Sequence, residues 1–179
     1  MFPHFDPFKL RAEAVSAEVH RFARKPEAVQ FIGEVVRAEG AAVWANDSLL
    51  DAEEQGRLAG QIPGLAFEVT REGAEAARVG ITEAGWGIAN TGTLVMDAAP
   101  VARRLASTLP PIHVAIVPTG AIQPDMAAAL ARISPQRCGY ISMITGPSRT
   151  ADIERVLTIG VHGPSRLIII AVDDLRSDS

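Results

Sequence analysis

The chain has 179 residues, enough for one domain with a closed hydrophobic core. Its 47% hydrophobic and 21% charged residues are interspersed, which excludes a disordered or fibrous chain. The formal net charge of -4, with Arg mixed among Asp and Glu, leaves no basic stripe for a sequence-independent grip on nucleic acid.

From the N-terminus, Phe8, Ala12, Val15, Val19 and Phe22 step by three and four, which predicts a helix over 8–22. A second helix is predicted over 26–39, with Val29, Ile32 and Val36 on one face and Gly40 as its stop. Together they suggest a helical N-terminal arm (1–40) ahead of an α/β core (41–179), within a single domain. After Gly40, short apolar runs predict strands at 41–45, 65–69, 79–82, 93–97, 113–118, 139–144 and 167–172. Helices are predicted between several of them, at 48–58, 101–108, 125–133 and 150–158. Such alternation implies an α/β fold with a mainly parallel sheet flanked by helices, because parallel neighbours need crossovers. The run "RLIIIAV" is apolar on both faces, as a central strand should be.

The N-terminus has no basic start followed by an apolar run, and no stretch approaches the roughly 18 apolar residues of a membrane span. The expectation is a cytoplasmic protein. The single cysteine, Cys138, cannot form an intrachain disulfide or by itself supply an iron–sulfur cluster or a structural zinc site. His4, His20, His113 and His162 have no metal-ligand spacing, so no metal is expected in this chain.

Ligands of open α/β sheets gather at the carboxyl ends of strands, so the loops that follow the strands are where chemistry is expected. In "TGPSRTADIE" (145–154), Ser148 or Thr150 can cap a helix whose positive end Asp152 and Glu154 favour. Alternatively Ser148, Arg149, Thr150 and backbone N–H groups form an anion cradle. In "TEAGWGIANTGT" (82–93) the glycines permit close backbone approach, to a ligand or within a hairpin, and the spacing matches neither a dinucleotide fingerprint nor a P-loop. Trp86 can stack on a planar ligand or sit in the core. His162, in "GVHGP", is a candidate acid or base, or simply ties down its turn; His113 at a strand start reads as structural. Cys138 reads as a small buried hydrophobe, with no partner base in view.

The segments "GIANTGTLVMD" (87–97), "LPPIHVAIVP" (109–118), "GPSRTADIE" (146–154) and "GVHGPSRLIIIAVDD" (160–174), in this order, resemble the LUD-domain family and within it the lactate-utilization protein C group. The resemblance implies a fold like that of the ribose-5-phosphate isomerase, glucosamine-6-phosphate deaminase and CoA-transferase superfamily. It also implies a part in oxidising L-lactate to pyruvate, alongside companion proteins that carry iron–sulfur clusters. One departure stands out: relatives often carry an acidic residue where this chain has Asn90, and an amide serves neither as nucleophile nor as base. Glu83 is then the remaining carboxylate of that segment.

The leading expectation is an accessory component of such a system, with a small-anion or cofactor pocket formed by Asn90, Thr91, Gly92 and Thr93 with Ser148, Arg149 and Thr150. Arg149 would pair with a carboxylate or phosphate, and His162 would lie at the edge. One alternative is a stand-alone enzyme on a phosphosugar or acyl-CoA, for which Glu83 and His162 are the catalytic candidates. Another is a non-catalytic interaction protein.

Overall fold

The computed structural model describes residues 2–133, 139–151, 157–159 and 163–176. In chain order the elements are α1 (Phe5–Ala14), β1 (Glu18–Phe22), α2 (Lys25–Glu39), β2 (Ala42–Ala45), α3 (Ala52–Gln61), β3 (Leu65–Ala66), α4 (Arg71–Ala76) and β4 (Val79–Glu83). They continue with β5 (Trp86–Ile88), β6 (Thr93–Asp97), α5 (Val101–Thr108), β7 (Ile112–Pro118), a 3-10 turn at Thr119–Ala121, β8 (Ile122–Gln123) and α6 (Met126–Leu130). β9 (Ile141–Ile144), β10 (Arg149–Ala151), β11 (Leu157–Ile159) and β12 (Arg166–Val172) complete the described chain.

The main sheet has the order β1-β12-β7-β4-β2-β3, and every neighbouring pair is parallel. On one face Trp44, Ile81, Val114, Ile116, Ile168 and Ile170 pack under α2 and α3 through Ile32, Val36 and Leu58. On the other face Val43 and Ala45 meet Ala74 of α4 and Ala106 of α5. Further along that face, Ala115, Val117, Leu167 and Ile169 meet Phe5 and Phe8 of α1 and Leu94 of β6. Both phases of "RLIIIAV" are thus buried, each large side chain contributing on the order of 1.5–3 kcal/mol. Among the described residues no helix is long and apolar enough to cross a membrane.

A second sheet, β8-β5-β6-β9, lies over that second face. The β5–β6 hairpin is its centre; Leu94 points to the main sheet, while Ile88 and Val95 pack outward against Ala129 of α6.

The N-terminal segment differs from the expected arm. α1 stops at Ala14, Ser16 takes a left-handed φ of 71°, and Glu18–Phe22 becomes an edge strand beside β12. Val15 and Val19 misled because a separation of four places two side chains on one face in a helix and in a strand alike. α2 packs directly on the sheet, so this segment belongs to the core as much as the rest. The helix expected over 150–158 is also corrected at its described residues, where Arg149–Ala151 is a strand that pairs antiparallel with Leu157–Ile159. Strand pairing with a neighbouring segment overrides the local capping signal. The helix expected from residue 48 begins instead at Ala52, because the Asp51 carboxylate accepts from Glu54 N at 2.8 Å and caps it there.

Candidate functional site

After β2 the chain turns through α3 to β3 at the sheet edge, whereas β4 lies on the other side of β2 and leads on to β7 and β12. The strand order therefore reverses between β2 and β4, and the crevice at their carboxyl ends is the place where such sheets receive ligands. A cleft of about 710 Å³ opens there, lined among others by Asp47, Ser48, Glu83, Trp86, Asp97 and Arg103.

Glu83, the last residue of β4, reaches across to the loop that follows β2. Asp47 N donates to its Oε1 at 2.8 Å, and Ser48 N and Leu49 N donate to its Oε2 at 3.1 Å each. The loop has its own supports. Asn46 Oδ1 accepts from Leu50 N at 3.0 Å, Asn46 Nδ2 donates to the Leu50 carbonyl at 3.0 Å, and Leu49 and Leu50 are buried. Burial pushes the Glu83 carboxyl above the usual carboxylate range and the charge of Asp47 adds to this, against the opposing pull of the three N–H groups.

The Arg103 side chain, on α5, is 12% exposed and ties the loop after β2 to the end of β6. Its Nη2 pairs with Asp47 Oδ1 at 2.5 Å, while Nη1 donates to the Asp97 carbonyl at 2.9 Å and lies 3.5 Å from Asp97 Oδ2. Lys25, at the start of α2, lines the cleft and pairs with Glu54 at 2.8 Å. Trp86 lines it as well while packing with the Ile88, Val95 and Ala129 cluster. Among the described residues no group of three or more His, Cys, Asp or Glu is placed to hold a metal ion.

Apart from Glu83 and Trp86, the residues singled out by motif lie away from this cleft. β6 and β9 are antiparallel neighbours, which joins the 91–93 turn to the 145–149 segment: Thr93 Oγ1 lies 2.7 Å from Thr91 Oγ1 and 2.8 Å from Thr145 Oγ1. Both segments close around the end of α1. Gly92 has a φ of +66° and its Cα faces the backbone of Arg11 and Ala12 so closely that no Cβ fits; a Cβ on Gly146 (φ +72°) would stand 2.5 Å from the Val15 carbonyl oxygen. Arg149 Nη2 donates to that same carbonyl at 2.9 Å and to Ser16 Oγ at 2.6 Å. Asn90 is exposed, its N–H donating to the Pro124 carbonyl at 3.2 Å. Ser148 and Arg149 line a second groove of about 370 Å³, together with Thr108, Ser142 and His113. Thr150 contributes its backbone to β10; His162 and Cys138 lie outside the described residues. Glu83 is in the strand-end cleft, apart from this cluster.

Arg149→Ala is expected to loosen the seat of α1 and to lower stability by about 1 kcal/mol, since an exposed charge-assisted pair of hydrogen bonds is lost. Urea denaturation measures it. A variant indistinguishable from wild type would mean that this guanidinium does not hold α1.

Motif reading missed Asp47, Ser48, Leu49, Asp97 and Arg103. The available signal was "NDS" directly after the apolar "AVWA", a polar turn at a strand's carboxyl end with no glycine to mark it.

Comparison with known proteins finds a family and relatives for this chain. The family model described as LUD domain matches residues 6–172. The lactate utilization protein C of Bacillus velezensis is 42% identical over 109 residues, covering 58% of this chain and 45% of that protein. The protein of the same name from an Exiguobacterium species is 40% identical over 114 residues, covering 60% and 50%. The Bacillus subtilis one is 39% identical over 107 residues, covering 56% and 45%. The aligned part thus spans about half the length of these curated relatives. A crystal structure of a DUF162 family protein from Deinococcus radiodurans superposes with a TM-score of 0.69 over 95% of this chain and 96% of that one, at 19% identity, and shares the fold.

Proposed function

The chain belongs to the LUD-domain family, and from that premise we propose that it serves lactate utilization in the cytoplasm by holding a small organic anion or cofactor in the strand-end cleft. Iron–sulfur companion proteins would carry the electrons of lactate oxidation to pyruvate. The relatives named lactate utilization protein C support the process. The 179 residues contain one cysteine, too few for a cluster held by about four thiolates, which supports assigning the clusters to partners. The observation that carries the binding role is the cleft itself, at the reversal of strand order and lined by Glu83 and Arg103.

A thermal-shift titration against lactate, pyruvate, phosphate, CoA and nucleotides tests this, because a ligand selective for the folded state raises its apparent stability. The expected result is stabilisation by one of them that is lost in Arg103→Met and kept in Arg149→Ala. Loss in Arg149→Ala alone would move the site to the hydroxyl cluster of Thr91, Thr93, Ser148 and Arg149. No shift with any ligand would overturn the binding role and turn the search to protein partners.

Glu83 favours a second reading, a stand-alone enzyme on an acyl-CoA or phosphosugar, since it sets a carboxylate of raised pKa in the cleft. Both its oxygens are engaged by backbone N–H groups, so it would have to leave them before acting as base or nucleophile. Turnover by the isolated protein, abolished in Glu83→Gln, would establish that reading; binding without turnover would remove it.

A further inference from the structure

Three consecutive backbone N–H groups converge on one carboxylate at the mouth of β4, and that carboxylate belongs to the protein itself. We propose that the N–H groups of Asp47, Ser48 and Leu49 are the recognition element of the cleft, that a small carboxylate is the ligand class they take, and that Glu83 occupies the ligand's place until it arrives. This rests on the reading of the strand-end cleft as a binding site and names what that site recognises.

Consecutive N–H groups in a turn form an anion-binding concavity. This one keeps its shape by means independent of Glu83: the reciprocal bonds between Asn46 and Leu50, the burial of Leu49 and Leu50, and the Arg103 pair that holds Asp47. Withdrawal of Glu83 would therefore leave the donors in place. Their division, one N–H to one oxygen and two to the other, suits a planar group with two oxygens. The cleft that Glu83 lines has room for both the displaced side chain and an incoming molecule. Arg103 stands beside the loop and offsets the charge of Asp47, which would otherwise repel an anion. Glu83 itself is held at a cost, because its burial raises its pKa while the N–H groups lower it. A group so placed gives way to a competitor that brings its own binding energy, and lowers the competitor's apparent affinity while it stays.

The test compares wild type with Glu83→Ala in sodium acetate and in sodium chloride of equal ionic strength, followed by thermal shift. Acetate is expected to stabilise Glu83→Ala, with an apparent affinity at least about tenfold tighter than for wild type, because the internal competitor is gone. A folded Glu83→Ala protein that responds to acetate no more than wild type overturns the proposal, as does stabilisation by inorganic phosphate without any by acetate. If the variant does not fold in chloride, recovery of folded protein on refolding in acetate supports the proposal, and no recovery overturns it. The two readings fail separately. Acetate binding to Glu83→Ala with no ligand for wild type leaves the carboxylate site standing and removes the lactate assignment. A wild-type ligand lost in Arg103→Met, with no gain in Glu83→Ala, does the reverse.

Discussion

Gly80→Ala is expected to lower the unfolding free energy by about 3 kcal/mol or more, a size reached only by severe overpacking. Gly80 lies in β4 on the face crossed by α5, and a Cβ there would overlap the carbonyl oxygen of Ala106. It would also stand 2.8 Å from that carbonyl carbon and 2.9 Å from Pro110 Cγ. These are backbone and ring atoms, which cannot rotate aside as a flexible side chain would, so α5 as a whole must lift. Ala106 is fully buried beneath it, and Arg103 on the same helix holds Asp47 and Asp97 at the cleft. The damage is therefore expected in two measurements: an earlier urea midpoint, and weaker ligand stabilisation at a temperature where the variant remains folded. A Gly80→Ala protein within about 0.5 kcal/mol of wild type would contradict the seating of α5 on β4.

The second large effect is the acid limb of stability. His113 is 1% exposed, its Nε2 lies 2.8 Å from Thr82 Oγ1, and burial pushes its pKa down from 6.5 to about 4. In the unfolded chain the imidazole takes up a proton near its ordinary value, while the folded protein refuses it until about pH 4. Stability from this group is thus complete above the unfolded pKa and falls as the pH drops towards the folded one. The loss is about 2 kcal/mol by pH 5 and about 3 kcal/mol in all. His113→Gln, whose amide can still reach Thr82, is expected to be less stable than wild type at pH 7.5 and to lose less between pH 7.5 and 5. Equal losses in the two proteins over that interval would show that His113 is not the group responsible.

The parallel core was legible because its signal is local and strong. Apolar runs such as "AVW", "HVAIV" and "RLIIIAV" have little use outside a sheet buried on both faces, and β2, β4, β7 and β12 fell where such runs stand. The cluster of 91–93 with 145–149 was also in reach, since the glycines and hydroxyls marked turns that had to approach something closely. What they approach, the end of α1, was hidden, because Gly92 and Ala12 are far apart in the chain and glycine signals proximity without naming the neighbour. Likewise "TGPSRTADIE" carried a sound helix-start signal, but the strand pairing of Arg149–Ala151 with Leu157–Ile159 prevailed.

The cleft shows the division most plainly. Sequence by itself determined that the chain is an α/β domain of a recognisable family, because hydrophobic periodicity and motif order are properties of neighbouring residues. It did not determine that Glu83 would sit on the N–H groups of Asp47, Ser48 and Leu49, some thirty-five residues away. That depended on β2 and β4 becoming neighbours while β3 was sent to the edge, a choice made by the burial of whole faces. Backbone N–H groups are carried by nearly every residue and leave no mark in a sequence; only the tertiary structure decides where three of them converge.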